Sequence, residues 1–444
     1  MINSLTNLNP RMHRLLPLPF YVLGALFIGL AVPYAPLLSI VMICGFVLCV
    51  FAYLYPDQMS ILMLIISVVS YQLLFQTEVF GMDPQALNKL GILAFAIPAM
   101  LRFGINVRFV WPIIALFVLV VITFTLSNRH PLLEGLDPIR ACIGLAAPLS
   151  LLLIRLSPAA AEKQLRTITL LPLISLAVGS ILHLTGKHML YVLEFNGAFR
   201  LQGANIPAHL AFLAFIAFIV CMVEWKRKPE AATWCYIMMV INFVILILTG
   251  TRGPLIALIP LLILFVFDLS KQFTNGKTRY LVPLFGSFAV IAVSVVLQLD
   301  NFMKRTFERQ TATGFDLSGR VEAWDFFLSG VKEAPWFGRG LGSVLVANDG
   351  SIYGGFVVPH NEYIRFYFDS GFIGAALLFS SLFIVFGYVY RSVAANVKPY
   401  FLLCALGFFI YSFSDNTMST IQFLLPFCAF LCALTSLSER KRTI

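Results

Sequence analysis

Charge is scarce in this chain. Only 12% of its 444 residues are Asp, Glu, Lys or Arg, against 59% hydrophobic, where a soluble chain carries about a quarter charged residues. That shortage excludes a soluble globular enzyme and a solvated disordered chain. Cysteine supplies no framework either. Cys44, Cys49, Cys142, Cys221, Cys235, Cys404, Cys428 and Cys432 all fall within or beside apolar runs, so they read as small core hydrophobes rather than disulfides or metal ligands. No CxxC, HExxH or clustered-carboxylate pattern occurs, so neither a metal site nor a cofactor is expected. The polar opening MINSLTNLNPRMHRL runs into an apolar span with no small-residue cleavage site, and no cleavable signal peptide is expected.

Apolar runs long enough to cross a bilayer recur along the sequence, whose mean hydropathy is +0.89. The expected fold is all-α: a polytopic transmembrane helical bundle of about 12–14 spans, residues 1–444 forming one integral membrane domain. Spans are expected near 16–34, 37–55, 60–76, 88–101, 109–127, 138–154, 168–186, 206–224, 233–249, 253–269, 280–298, 372–390, 399–413 and 419–437. A long external loop, 299–371, contains two short helices. The net charge of +10 is read as cationic cytoplasmic loops, not as a nucleic-acid footprint.

With both termini cytoplasmic, the inner connections collect most of the 31 Lys and Arg, as the positive-inside rule requires. This orientation needs the short span 88–101, without which Arg102 and Arg108 fall outside. It also puts the connection 187–205, the turn TGTRGP (249–254), the long loop and the turn SDNTM (414–418) on one external face.

Several polar residues on that face are candidates for chemistry. Arg252 sits alone between two apolar spans, either meeting an anion beside Gly250 and Gly253 or snorkelling to lipid phosphates. Arg200, in FRLQG, is an anion ligand or half of an ion pair. Guanidinium forks suit phosphate oxygens, and two or three hold a pyrophosphate. In DLSGRVEAW, Asp316 or Ser318 is the expected N-cap of a loop helix. Arg320 opens that helix, and Val321, Trp324, Leu328 and Val331 make its apolar stripe. Pro335 ends it, and WFGRGLGS, with Arg339, follows as an irregular segment. In PHNEYIRFYFDSGF, Asn361 caps a helix running to Gly371. His360 stands at its N-terminus, where the dipole favours a neutral ring, the form a general base needs. The plainer alternative is a histidine satisfying a buried carbonyl. Glu362 is a second candidate base. Asp415 and Asn416 either orient His360 or an arginine, or cap the final span.

The run SGR-VEAW, then WFGRGLGS, then PHNEYIRFYFDSGFIGAALLF resembles the signature of the O-antigen ligase and polymerase family of bacterial membrane glycosyltransferases. FRLQG and LTGTRGP are similar to its earlier arginine motifs, and FSDNTMS to its last external turn. The likeness spans roughly residues 195–420.

The resemblance implies a glycan carried on undecaprenyl pyrophosphate at the periplasmic face of the inner membrane. It implies that Arg200, Arg252 and Arg320 hold the pyrophosphate, that His360 takes the acceptor's proton, and that Asn361, Arg339 and Asp415 support them. A metal-independent, inverting transfer onto lipid A–core or a lipid-linked glycan follows from the same likeness. The polymerases' RX10G spacing is absent, since Ala211 and Val331 stand eleven residues after Arg200 and Arg320. That weakly favours a ligase over a repeat-unit polymerase. A transporter or flippase for the same lipid-linked glycan is the rival of another class, but such proteins show related halves and charges near the midplane.

Overall fold

The computed structural model, which describes residues 36–74, 84–194, 197–307, 320–348 and 357–443, is a helical bundle. The first expected span, 16–34, and the candidate caps Asp316 and Ser318 lie outside the described residues. Every later expected span has its helix. These are α1 (Pro36–Leu54), α2 (Pro56–Ile66) with the one-turn α3 (Tyr71–Leu74), α4 (Pro84–Phe103), α5 (Trp111–Thr125), α6 (Asp137–Leu149) and α7 (Pro158–Leu184). They continue with α8 (Pro207–Arg227), α9 (Ala232–Leu248), α10 (Arg252–Thr274), α11 (Leu281–Phe307), α13 (Glu362–Ser392), α14 (Lys398–Ser412) and α15 (Ile421–Thr443); α12 (Arg320–Val331) belongs to the long loop. Among the described residues, eight helices are long and apolar enough to cross a membrane, and four shorter apolar helices accompany them. The chain is a multi-pass helical membrane protein.

Two helices form the centre. In α8 and α15 nearly every residue of the apolar stretch is buried, as expected of helices apolar on all faces. Lipid-type surface lies instead on α11, where Val282, Val296 and Leu297 are exposed.

Three features depart from the sequence expectation. The span 60–76 is broken after Ile66. Its freed backbone groups are tolerated because protein covers them: Asn205 Nδ2 donates to the Val68 carbonyl at 2.6 Å, and the Ser70 N–H donates to Ala204 at 3.2 Å. Hydropathy could not reveal a break whose partners lie far along the chain. Second, α11 continues to Phe307 instead of stopping at 298. Third, α12 buries Ala323, Phe327 and Val331, leaving Val321 and Leu328 exposed. The helix is turned this way because Phe327 packs edge-on against Phe368 of α13, ring centroids 5.2 Å apart.

Ion pairs lock the bundle at one end. Arg227 bridges Glu224 and Glu162, joining α7 to α8, while Lys226 pairs with Asp268 of α10, which also accepts from Tyr400 of α14. The opposite end carries the N-termini of α8, α10, α13 and α15, and the candidate residues gather there.

Candidate active site

Arg200 lies in a small antiparallel hairpin, β1 (Tyr191–Leu193) with β2 (Phe199–Leu201), opposite Val192. Its side chain turns inward. Nε donates to the Thr249 carbonyl at 2.6 Å, Nη2 to Thr251 Oγ1 at 2.9 Å, and Nη1 pairs with Glu194 at 2.5 Å. Three of its five N–H groups therefore hold protein, and two remain for a ligand. Arg200 thus fastens the turn whose next residue is Arg252, at the N-terminus of α10.

That turn packs on the SDNTM turn. A Cβ added to Gly253 would lie 2.3 Å from Ser414 Oγ, so a larger residue would force that side chain to move. Arg320 opens α12, which Trp324 pins one turn later: its Nε1 donates to the Pro359 carbonyl at 2.7 Å, and its ring meets Phe413 edge-on at 5.4 Å. Arg320 acts electrostatically on Asp415. The three arginines expected to share an anion thus gather around the 411–415 segment.

The PHNEY stretch is built on a break. Asn361 caps α13, its Oδ1 accepting from the Tyr363 and Ile364 N–H groups at 3.0 and 3.2 Å. The helix is interrupted at Gly371, whose φ of 65° and ψ of −174° are non-helical. Backbone groups freed there pair with the glycine-rich run: Arg339 N–H to Phe368 O and Gly340 N–H to Asp369 O, both 2.8 Å, and Phe372 N–H to Pro335 O at 2.9 Å. The fully buried Asp369 carboxylate accepts from the Gly342 and Val344 N–H groups and from Ser343. The long loop is therefore strapped across the break of α13 at Gly371.

His360, just before the cap, has φ 47°, the one positive value outside glycine among the described residues. Such a conformation costs about 1–2 kcal/mol. It persists because its neighbours are held: Pro359 by Trp324 and Asn361 as the cap. The ring meets Asp415, Nδ1 to Oδ1 3.1 Å, with the Asn416 amide 3.3 Å from the same nitrogen. Burial alone would raise the Asp415 carboxyl. The hydrogen bond and charge of His360, then Arg320 and the Asn416 N–H, outweigh it and hold the carboxyl below its ordinary value. An ionised Asp415 only accepts, so in this pair the proton sits on His360 Nδ1.

Glu362 is placed differently from the expectation of a second base. It is fully buried, and its Oε1 accepts from the Met418 and Ser419 N–H groups at 2.6 and 3.2 Å. Arg365 lies 3.8 Å from Oε2. The carboxylate therefore anchors the SDNTM turn to α13. Arg339 pairs with Glu333 at 2.5 Å and lies beside the 127–133 loop, where His130 N–H donates to its carbonyl. Its structural tie is to the glycine-rich strap rather than to His360. Sequence reasoning missed Tyr411 and His209, both in apolar helices. Their neighbourhood with Asp415 has no local signal, because it arises from helix packing.

Fold and site define a class: a multi-pass helical membrane protein whose cationic residues and histidine–carboxylate pair share one end of the bundle. Residues 237–379 match the protein-family model described as O-antigen ligase. The matched region runs from α9 into α13. It contains Arg252, Arg320 and His360, while Arg200 and Asp415 lie outside it. The match supports a function of the O-antigen ligase or polymerase type. No curated protein matches the chain.

Proposed function

We propose that the protein is a bacterial inner-membrane glycosyltransferase whose site opens at the periplasmic face, both termini being cytoplasmic. It moves a glycan from undecaprenyl pyrophosphate onto an acceptor sugar hydroxyl, with lipid A–core as the acceptor, and so acts as an O-antigen ligase. Arg252 and Arg320, with the two remaining N–H groups of Arg200, hold the pyrophosphate. Helix N-termini at the same end add favourable potential for an anion.

His360 Nε2 accepts the proton of the acceptor hydroxyl as its oxygen attacks the anomeric carbon. The bond from that carbon to the pyrophosphate oxygen breaks, and the departing charge is neutralised by the guanidinium groups. One displacement inverts the anomeric configuration. In this reading the arginines supply the electrostatic stabilisation, so transfer proceeds in the presence of a chelator. Asp415 holds the imidazole in the required tautomer and stabilises the imidazolium as it forms.

The observation that carries this reading is the gathering of Arg200, the Arg252 turn and Arg320 around the 411–415 segment, whose Asp415 pairs with His360. Complementation tests it, with wild type and His360→Ala in strains lacking either their O-antigen ligase or their polymerase and matched in glycan. Rescue of the lipopolysaccharide ladder in the ligase strain by wild type alone is expected. Rescue confined to the polymerase strain would make the protein a repeat-unit polymerase. Rescue by His360→Ala would remove the histidine as base. Movement of the lipid carrier across proteoliposomes without a new glycosidic bond would replace the enzyme with a transporter.

A further inference from the structure

We infer that the Tyr411 hydroxyl is a further donor to the pyrophosphate, closing the arginine cradle from the side of the bundle. The inference rests on the donor reading above and adds a substrate contact to it. Tyr411 lies in the last turn of α14, three residues before the SDNTM turn, and is fully buried. Its ring is clamped by Phe212 at 4.9 Å and by Phe215 and Phe423 edge-on at 5.2 and 5.7 Å. These neighbours belong to the central helices α8 and α15, so the ring has little freedom to turn.

The hydroxyl at the end of this clamped ring is buried and has no hydrogen-bond partner among the described residues. Buried hydroxyls in folded proteins are normally bonded, and an exception calls for a reason. The charged groups acting on it are Asp415, Arg320 and Arg200. A Cβ added to Gly253 would stand 3.3 Å from Tyr411 Cε2, the ring carbon next to the one bearing the hydroxyl. The turn carrying Arg252 therefore rests against the hydroxyl end of the ring. Arg320 Nε is also buried and without a partner among the described residues. Asp415 Oδ1 already receives His360 and the Asn416 N–H.

Two unsatisfied donors beside a group of guanidinium ions call for a ligand that only accepts and has several oxygens. A phosphate meets that requirement. Tyrosine suits the position because its hydroxyl donates without adding charge.

The test uses the full chain in detergent, with geranylgeranyl pyrophosphate as probe and geranylgeraniol as its uncharged control. Tyr411→Phe removes only the hydroxyl. Affinity for the pyrophosphate is expected to fall about 10- to 100-fold, the loss typical of a hydrogen bond to a charged group. Binding of the alcohol is expected to stay as in wild type, and the melting temperature to hold or rise, since the lost hydroxyl had no partner in the protein.

Equal pyrophosphate affinity in wild type and Tyr411→Phe, with Arg252→Ala weakened, would overturn the inference and spare the donor reading. A lowered melting temperature with unchanged affinity would identify a purely structural hydroxyl and overturn it too. If wild type bound the pyrophosphate no better than the alcohol, the donor reading would fall and the inference with it.

Discussion

His360 Nδ1 lies 3.1 Å from a carboxylate oxygen of Asp415, 55 residues further along the chain. The pair joins the segment just before the α13 cap to the turn before α15, so both must be in place for the imidazole to be oriented. His360→Ala is expected to lower transfer by about 10²–10⁴-fold, the usual contribution of a general base. Asp415→Asn should lower it about 10- to 100-fold, measured as initial rates with donor saturating.

Asp415 also makes a prediction about pH. Its folded value is depressed, so the stability it contributes is fully present above the ordinary Asp value of about 3.9. That stability is lost only as pH falls through the lower folded value. The stability advantage of wild type over Asp415→Asn should therefore persist down to about pH 5 and be lost only under stronger acid. A rate that falls on acidification above pH 5 belongs to a different group. Loss of the wild-type advantage already above about pH 5 would contradict the depressed Asp415 value.

Arg200 and Arg252 should separate by phenotype. Arg200 spends three N–H groups on Thr249, Thr251 and Glu194, so Arg200→Ala is expected to lower both melting temperature and donor affinity. Lysine cannot reproduce the fork, and Arg200→Lys should recover little of either. Arg252→Ala should weaken donor binding and turnover about tenfold or more with expression intact. Unchanged kinetics in Arg252→Ala would rule out its pyrophosphate role.

Glu362 tests the distinction between base and anchor. Gln retains a carbonyl acceptor for the Met418 and Ser419 N–H groups, so Glu362→Gln should keep activity within about tenfold of wild type. Glu362→Ala leaves those donors and the Arg365 charge buried and unmatched, a loss of about 3 kcal/mol or more, read as a lowered melting temperature. A Gln variant as inactive as His360→Ala would restore the carboxylate as the base.

Gly371→Ala should be costly far from any ligand. Alanine would have to hold φ 65°, and its Cβ would lie 2.3 Å from the Trp336 carbonyl carbon. A loss of about 2 kcal/mol or more is expected, with the strap displaced from α13. Gly338→Ala, whose Cβ would meet the Gly371 nitrogen at 2.4 Å, should behave alike. Limited proteolysis of the long loop would rise in both.

Apolar run length determined the helices, because a backbone in lipid must satisfy its own hydrogen bonds. The distribution of Lys and Arg supported the short fourth span, which is the full 20-residue helix Pro84–Phe103. Local rules also reached the Asn361 cap and the interruption at Gly371, since caps and glycine breaks depend on neighbouring residues. Tertiary structure decided the rest. The break after Ile66 depends on Asn205 and Ala204, far along the chain. Glu362 and His360 stand two residues apart in one motif, yet one is sealed against the SDNTM turn and the other faces Asp415. The Tyr411 hydroxyl stands out only because helix packing buries it without a partner. Periodicity and composition act over a few turns of chain, whereas these pairings depend on which helices pack together, and a single sequence does not contain that information in local form.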